Sequence, residues 1–220
     1  MNAAPPLVLP LFATPLGIVT VPKAEDLNPQ LVDIFMKRTP RGHTPDADTK
    51  VYRSQDDLFD WPEQAVRALA TEIFRGVCAV VETLNAFDPE QLRSFSLEAR
   101  GWFTIIEQDG ALPAVNYPLT AWCAMYCVAA PEPCATRQDS GVLRLYESRL
   151  GTMFQDATNS VMRVPFTPGH RTWRPVPGQL AIFPASLTHE IALVRSAGKL
   201  ILVTARARFV APGQKGVGRW

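Results

Sequence analysis

The segment that decides the fold spans residues 177–190 and reads PGQLAIFPASLTHE. Pro177 and Gly178 predict a turn, and the apolar run that follows them is typical of a strand that enters the core. Pro184 has no backbone N–H to donate to a neighbouring strand, so we expect the strand to stop there. The pattern therefore predicts that His189 is presented just beyond the end of a buried strand.

Six further segments from residue 97 onward are short, rich in β-forming residues and bounded by turn residues. They cover residues 97–107, 121–129, 142–147, 160–165, 190–194 and 200–210. Two short strands are also predicted within residues 7–21, with the side chains of Phe12, Leu16, Ile18 and Val19 packing inward. Many short strands that follow helices predict an antiparallel sandwich or barrel with the helices on one face.

The helices are predicted in the first half of the chain. Residues 26–38 carry apolar side chains at helical spacing. A longer helix is predicted to begin at Asp60, where Glu63 would complete a capping box, and its apolar stripe runs over residues 66–84. Asp88 is expected to cap a short third helix.

Residues 38–57 are polar and contain proline and glycine, which predicts a long loop. His43, Asp46 and Asp48 lie close together in this stretch and are candidate metal ligands. Nothing rigid in the sequence holds the three side chains together, so a solvated loop is the interpretation we favour.

Composition narrows the classes of function. The 220 residues include 22 basic and 21 acidic side chains, a balance that excludes a broad basic patch for nucleic acid or membrane surfaces. The four cysteines form no C-x-x-C pair, and we see neither a signal peptide nor an apolar run of about 18 residues. These features predict a cytoplasmic protein with reduced thiols.

Three segments together resemble a known family. They are residues 101–118, which contain GWF and PAVNYP, residues 122–128, which read WCAMYCV, and residues 177–190 followed by Gly198 and Lys199. Their order is similar to that of the small bacterial and phage Fe(II)/2-oxoglutarate oxygenases. The resemblance implies an α+β, mainly β fold, a double-stranded β-helix of the jelly-roll type. It further implies one domain over residues 1–211, with strands and supporting helices in 1–95, the β-helix in 96–211 and a flexible tail over 212–220.

The resemblance also assigns positions in the site. It places His189 as the third iron ligand and Lys199 as the cation that grips the 2-oxoglutarate carboxylate. The first and second ligand positions fall on Val115 and Tyr117, which depart from the histidine and the histidine or aspartate of the family. A facial triad needs three protein ligands, so the iron site is degenerate under this alignment.

Other residues could rebuild a site. Cys123, Met125 and Cys127 share one face if residues 121–128 form a strand, and two thiolates with His189 would suit zinc or copper(I). These residues are also typical small core residues. His170 is a further candidate at the same end of the fold, although a position at the rim is the simpler interpretation.

Three functions stay open at this point. The first is an oxygenase that oxidises a small molecule or a peptide with Fe(II) and 2-oxoglutarate, its metal held by unrecognised ligands. The second is a pseudo-oxygenase without cofactor, which binds a ligand, a second copy of the chain or a catalytic homologue. The third is a metal-independent enzyme that uses acid–base groups in the pocket. The candidates for those groups are Glu107, Asp109, Tyr117, Tyr126, His189 and Lys199, with Tyr117 and Tyr126 the leading catalytic candidates.

Overall fold

A computed structural model describes residues 10, 12–39, 50–148, 162–167 and 169–213. Within these described residues, ten strands form two antiparallel sheets, and three α-helices accompany them. The helices are α1 (Ala24–Arg38), α2 (Gln64–Leu84) and α3 (Pro89–Arg93). The strands are β1 (Gly17–Thr20), β2 (Val51–Arg53), β3 (Ser96–Ile106), β4 (Leu112–Val115), β5 (Trp122–Ala129), β6 (Leu143–Tyr146), β7 (His170–Trp173), β8 (Gln179–Pro184), β9 (His189–Ile191) and β10 (Leu200–Val210).

The larger sheet has six strands in the order β1-β8-β5-β10-β3-β2, and the smaller has four in the order β4-β9-β6-β7. The longest pairing joins β10 to β3, with eleven successive residue pairs from Leu200–Ile106 to Val210–Ser96. Both strands of this ladder are interior strands of the larger sheet.

One face of the larger sheet is covered by α1 and α2. The buried stripe of α2 includes Val66, Leu69, Ile73 and Val77, and it joins a cluster with Val203 and other alternate residues of β5, β8 and β10. Gly76 allows helix and sheet to approach closely, since a Cβ at this position would lie 2.8 Å from Leu180 Cδ2. We call this apolar layer the outer core.

The opposite face of the larger sheet packs against the smaller sheet. This inner core contains Leu143, Phe183, Ile191, Leu200 and Leu202, among others. Side chains alternate between the two cores along each strand, because successive strand residues point to opposite faces.

The prediction of helices on one face of an antiparallel, mainly β structure is confirmed. The prediction of inward packing for Phe12, Leu16 and Ile18 was wrong. These side chains are exposed, and Phe12 retains 88% of its accessible surface. Within the described part of residues 7–21, the structure has one strand, β1, and Val19 alone of the four packs against the outer core.

The predicted capping box of the long helix was also wrong. Residues 58–60 form a 3₁₀ turn, and α2 begins at Gln64 instead. The carboxylate of Glu63 accepts a hydrogen bond from Arg38 at 2.6 Å, so it is engaged with α1 rather than with the start of its own helix. At α3 the predicted cap is confirmed, because Asp88 accepts from the backbone N–H groups of Glu90 and Gln91.

Three short strands were not predicted. Residues 51–53 form β2 inside the predicted loop, and β4 and β7 were also missed. Conversely, residues 162–165 of the predicted strand 160–165 form no strand. His43, Asp46, Asp48 and most of the predicted tail lie outside the described residues. In the described part of the chain, no helix combines the length and apolar character needed to cross a bilayer.

Candidate functional site

A cavity of about 180 Å³ is lined by residues of both sheets, and we call it the His189 cavity. The larger sheet contributes side chains from β2, β3, β5 and β10, and the smaller sheet contributes β4 and β9. The lining residues are Arg53, Trp102, Thr104, Leu112, Pro113, Val115, Tyr117, Met125, His189, Glu190, Ile191 and Thr204.

His189 is buried at the start of β9, with 3% of its surface exposed. Its Nδ1 lies 2.9 Å from the carbonyl oxygen of Leu187. A carbonyl only accepts, so Nδ1 carries the proton and donates it. Burial lowers the pKa of His189, which keeps the ring neutral. The lone pair of a neutral ring protonated at Nδ1 is on Nε2, where it can accept a proton or bind a metal.

Val115 is the residue directly opposite His189 in the β4–β9 ladder. Both residues line the cavity, and 37% of the surface of Val115 is exposed. The pairing of β4 with β9 therefore places the expected first and third ligand positions side by side. The side chain at the first position is a hydrocarbon without a lone pair.

Tyr117 stands between two rings of the cavity wall. Its ring centroid lies 5.7 Å from that of Trp102 and 5.5 Å from that of His189, both in edge-on arrangements. Burial raises the pKa of Tyr117 to about 12, with the neighbouring Cys123 adding to the rise and Arg53 and Arg206 opposing it. Tyr117 is therefore a neutral phenol at physiological pH.

Lys199 lies outside the residues that line the cavity. Its Nζ forms an ion pair with Glu107 at 3.1 Å, and 40% of its side chain is exposed. Inward and outward side chains alternate along β10, where Leu200 and Leu202 belong to the inner core and Ile201 and Val203 to the outer core. The inward position next to Lys199 is thus occupied by Leu200. The role of Lys199 in binding 2-oxoglutarate stays a prediction.

Tyr126 is separated from the cavity by the sheet. It belongs to the outer core, and its hydroxyl donates a 2.6 Å hydrogen bond to Asn28 of α1. Asp109 is also elsewhere, paired with Arg195 at 3.5 Å. Of the six acid–base candidates, only Tyr117 and His189 line the cavity.

The alternative metal site built on cysteine is not assembled. Cys123, Met125 and Cys127 do share one face in the inner core, as predicted. Burial raises the pKa of both thiols, to about 12 for Cys127, so both are neutral thiols at physiological pH. His170 is exposed on β7 and faces Tyr146 away from the His189 cavity. Within the described ranges, no group of three or more His, Cys, Asp or Glu side chains could hold a metal ion.

Sequence reasoning missed the arginines of the site. Arg53 lines the cavity, and the guanidinium of Arg206 lies 5.2 Å from the ring centroid of Tyr117. A signal was present for Arg206, because it follows Leu202 and Thr204 at the period of two that marks the inward face of a strand. Arg53 carried no such signal, since β2 has three residues.

The residues that the structure describes do not fit the iron site that the resemblance implies. A facial triad requires three ligands on one side of the metal. His189 supplies one imidazole, Val115 supplies none, and Tyr117 remains protonated. The carboxylate of Glu190, the only acidic side chain of the lining, is paired with Arg144 at 2.9 Å.

Comparison with solved structures identifies the fold of this chain. No family model matches the chain, and no curated protein matches its sequence. Among solved structures, it is similar to a prolyl-4-hydroxylase from Pseudomonas putida, at 14% identity and a TM-score of 0.56, over 88% of this chain and 91% of that chain. The chain has the fold of the 2-oxoglutarate/Fe(II) oxygenases.

Two other solved structures are also similar in fold to this chain. An oxidoreductase of the 2OG-Fe(II) oxygenase family from Burkholderia pseudomallei matches at 12% identity and a TM-score of 0.52, covering 87% of this chain and 84% of that one. The epimerase SnoN, solved with Fe³⁺, alpha-ketoglutarate and nogalamycin RO, matches at 12% identity and a TM-score of 0.55, covering 87% and 78%. The family resemblance drawn from the sequence is confirmed at the level of fold.

Proposed function

We propose that this chain is a non-catalytic protein with the oxygenase fold, which binds a small molecule in the His189 cavity. The observation that carries the proposal is the cross-strand pair of Val115 and His189, which puts a hydrocarbon opposite the imidazole. One imidazole beside a neutral phenol is too few donors for an iron that must also bind 2-oxoglutarate and oxygen. The cavity is retained, and a concave apolar cavity with a few polar groups is typical of a ligand site.

We also propose that β3–β10 form a double-stranded β-helix within one domain over residues 1–211. Along the chain, β3, β5, β8 and β10 belong to the larger sheet, and β4, β6, β7 and β9 belong to the smaller. The chain therefore passes repeatedly between two facing sheets, with β6 and β7 as a pair within one of them. This order supports the jelly-roll arrangement.

The competing function is turnover of a small-molecule or peptide substrate with Fe(II) and 2-oxoglutarate. It is favoured by the fold likeness, which includes SnoN in complex with Fe³⁺ and alpha-ketoglutarate. It requires two further ligands beside His189. Of the candidate ligands named from the sequence, His43, Asp46 and Asp48 lie outside the described residues.

Anaerobic titration with Fe(II) and 2-oxoglutarate distinguishes the two functions. We expect the wild-type protein to show no 1:1 binding by calorimetry and no visible absorption band of chelated 2-oxoglutarate. A 1:1 complex with that band in the wild type would overturn the proposal and direct the search to substrates.

Restoring the ligands provides the positive control. We expect the double substitution Val115→His and Tyr117→Asp to introduce 1:1 binding of Fe(II), because it returns both donors beside His189. Adding His189→Ala should remove that binding again. The matched control, Val115→Ala with Tyr117→Phe, changes the same positions without adding donors and should bind no metal. If the restored variant folds but binds no Fe(II), then Val115 and Tyr117 do not correspond to ligand positions.

A further inference from the structure

Arginine side chains lie on the same face of the larger sheet as the cavity wall. In the β2–β3 ladder Arg53 pairs with Thr104, and in the β3–β10 ladder Trp102 pairs with Thr204. Two residues further along β10, Arg206 pairs with Arg100. Residues directly opposite in a ladder share a face, and of these side chains Arg53, Thr104, Trp102 and Thr204 line the His189 cavity.

Arg53, Asp56 and Arg206 form a compact group, which we call the arginine cap. Asp56 accepts a hydrogen bond from Arg53 through Oδ1 and one from Arg206 at 2.8 Å through Oδ2. The indole ring of Trp102 lies 4.3 Å from the guanidinium carbon of Arg53 and 5.4 Å from that of Arg206. Two cations and one carboxylate leave the arginine cap with a net charge of +1.

The arginine cap meets the cavity at Arg53. A guanidinium has five N–H donors in a planar fork that matches a carboxylate, and the bond to Asp56 uses Nη2. The guanidinium carbon of Arg206 lies 5.2 Å from the ring centroid of Tyr117. Arg206 therefore contributes positive charge near the cavity without lining it. Its side chain is only 19% exposed, so solvent screens this charge weakly.

Thr104 supplies a second polar group beside Arg53. Its hydroxyl is buried in the cavity wall and has no hydrogen-bond partner among the described residues. A buried hydroxyl without a partner is costly, and such groups in native proteins call for a functional explanation. A ligand oxygen in the cavity next to Arg53 would supply the missing partner.

The rest of the cavity is mostly apolar. Leu112, Val115, Met125 and Ile191 provide its apolar walls. The carboxylate of Glu190 is paired with Arg144, which it shares with Asp139, so Arg53 is the cationic side chain of the described lining. The volume of 180 Å³ corresponds to about six water molecules at liquid density, which suits a ligand of roughly six to ten non-hydrogen atoms.

We propose that the His189 cavity binds a small monocarboxylate, with its carboxylate against Arg53 and the Thr104 hydroxyl and its apolar body against Leu112 and Ile191. The proposal deepens and rests on the ligand-binding function proposed above. Lys199, which the family resemblance assigns to 2-oxoglutarate, takes no part in it. A monoanion neutralises the arginine cap, whereas a phosphate dianion would leave an uncompensated negative charge beside Asp56.

The proposed site can be tested by measuring the binding of hexanoate in metal-free buffer at low ionic strength. The comparison ligands are 1-hexanol and inorganic phosphate. By isothermal titration calorimetry we expect 1:1 binding of hexanoate at least tenfold tighter than that of either comparison ligand. Arg53→Met should weaken hexanoate binding at least tenfold. Arg53→Lys should lose less affinity for hexanoate, because it keeps the positive charge. The matched control Arg75→Met removes an arginine that pairs with Glu72 on the surface of α2, and it should bind hexanoate like the wild type.

Several results would overturn the carboxylate site. They are the absence of hexanoate binding, equal affinity for hexanoate and 1-hexanol, tighter binding of phosphate, or a folded Arg53→Met variant with wild-type affinity. Circular dichroism and thermal melting of each variant separate lost binding from lost folding, and Arg53→Lys keeps the test valid if Arg53→Met fails to fold. The Fe(II) titration is independent of these results. Iron binding by the wild type overturns the non-catalytic function, whereas absent hexanoate binding with absent iron binding overturns only the present inference.

Discussion

At the scale of single residues, His189 has a defined orientation, and the residues beside it offer no metal ligand. The Leu187 carbonyl holds Nδ1, and the ring of Phe183 packs edge-on at a centroid distance of 4.9 Å. The positions beside it hold Val115 and Tyr117, one without a donor and the other protonated. The same cavity has a cationic side chain, Arg53, in its opposite wall.

Thr104 carries a residue-scale prediction about stability. Thr104→Val keeps the β-branched shape and removes the buried hydroxyl that has no partner among the described residues. We expect the free energy of unfolding without ligand to rise by about 1–3 kcal/mol, because the desolvation cost of that hydroxyl disappears. Urea denaturation measures the change. Thr71→Val, at an exposed helix position whose hydroxyl bonds the Arg67 carbonyl, is the control and should not gain stability. A loss of stability at Thr104 would show that its hydroxyl is hydrogen-bonded in the folded protein.

At the scale of elements, α2 shows how a helix and a sheet define the outer core. The helix places one apolar stripe on β5 and β8, and the absence of a side chain at Gly76 lets its backbone approach Leu180. Strand side chains of the outer core meet this stripe, while their neighbours in sequence line the inner core and the cavity. The helix thus contributes stability to the sheet that holds the site without contributing a residue to the cavity lining.

Ile73 lies in the middle of that stripe, and we expect its side chain to make one of the largest contributions of the stripe to the stability of the fold. Ile73→Ala should lower the free energy of unfolding by about 2–5 kcal/mol, since the side chain is fully buried and its removal leaves a cavity. The matched control is Ile18→Ala on the edge strand β1, where the side chain is 44% exposed, and it should cost less than about 1 kcal/mol. Chemical denaturation of both variants gives the comparison. Equal costs at the two positions would contradict the packing of α2 described here.

At the scale of the whole molecule, the larger sheet separates the outer core from the His189 cavity. The helices pack on the outer face of that sheet, and the cavity lies on its inner side, next to the inner core. His189 is buried in the fold and also faces the cavity. Its protonation should therefore affect the stability of the whole molecule.

The stability of the molecule should fall as the pH is lowered from 7.5 to 5.5. Burial holds the pKa of His189 below its ordinary value of about 6.5 in the folded state. Below that value the unfolded chain takes up a proton that the folded protein resists, so the free energy of unfolding decreases. Above it both states are neutral and this contribution is constant. Thermal melts across this range should show a smaller decrease for His189→Gln than for the wild type. His170→Gln, which replaces an exposed histidine on β7, is the control, and an unchanged slope for His189→Gln would contradict the prediction.

The sequence by itself determined the features that depend on near neighbours. Spacing and local chemistry predicted a helix over residues 26–38, a strand over 179–183, the cap at Asp88 and the shared face of Cys123, Met125 and Cys127, and the structure has the helix over 24–38 and the strand over 179–184. The correspondence of Val115 with His189 also came from sequence order, and the β4–β9 register agrees with it. The strands β2 and β9 have three residues each. Three residues are too few to show the alternation of polar and apolar side chains from which the ends of a strand are predicted.

Only the tertiary structure decided which side chains meet. Asp56 and Arg206 are 150 residues apart in the chain, yet a hydrogen bond joins them across the arginine cap. Lys199 and Leu200 are adjacent, yet Leu200 packs in the inner core while Lys199 pairs with Glu107. Tyr126 and Tyr117 are equally plausible catalytic residues in sequence, and the sheet separates them. The physical reason is that register and facing between distant strands depend on long-range pairing, which local periodicity does not encode.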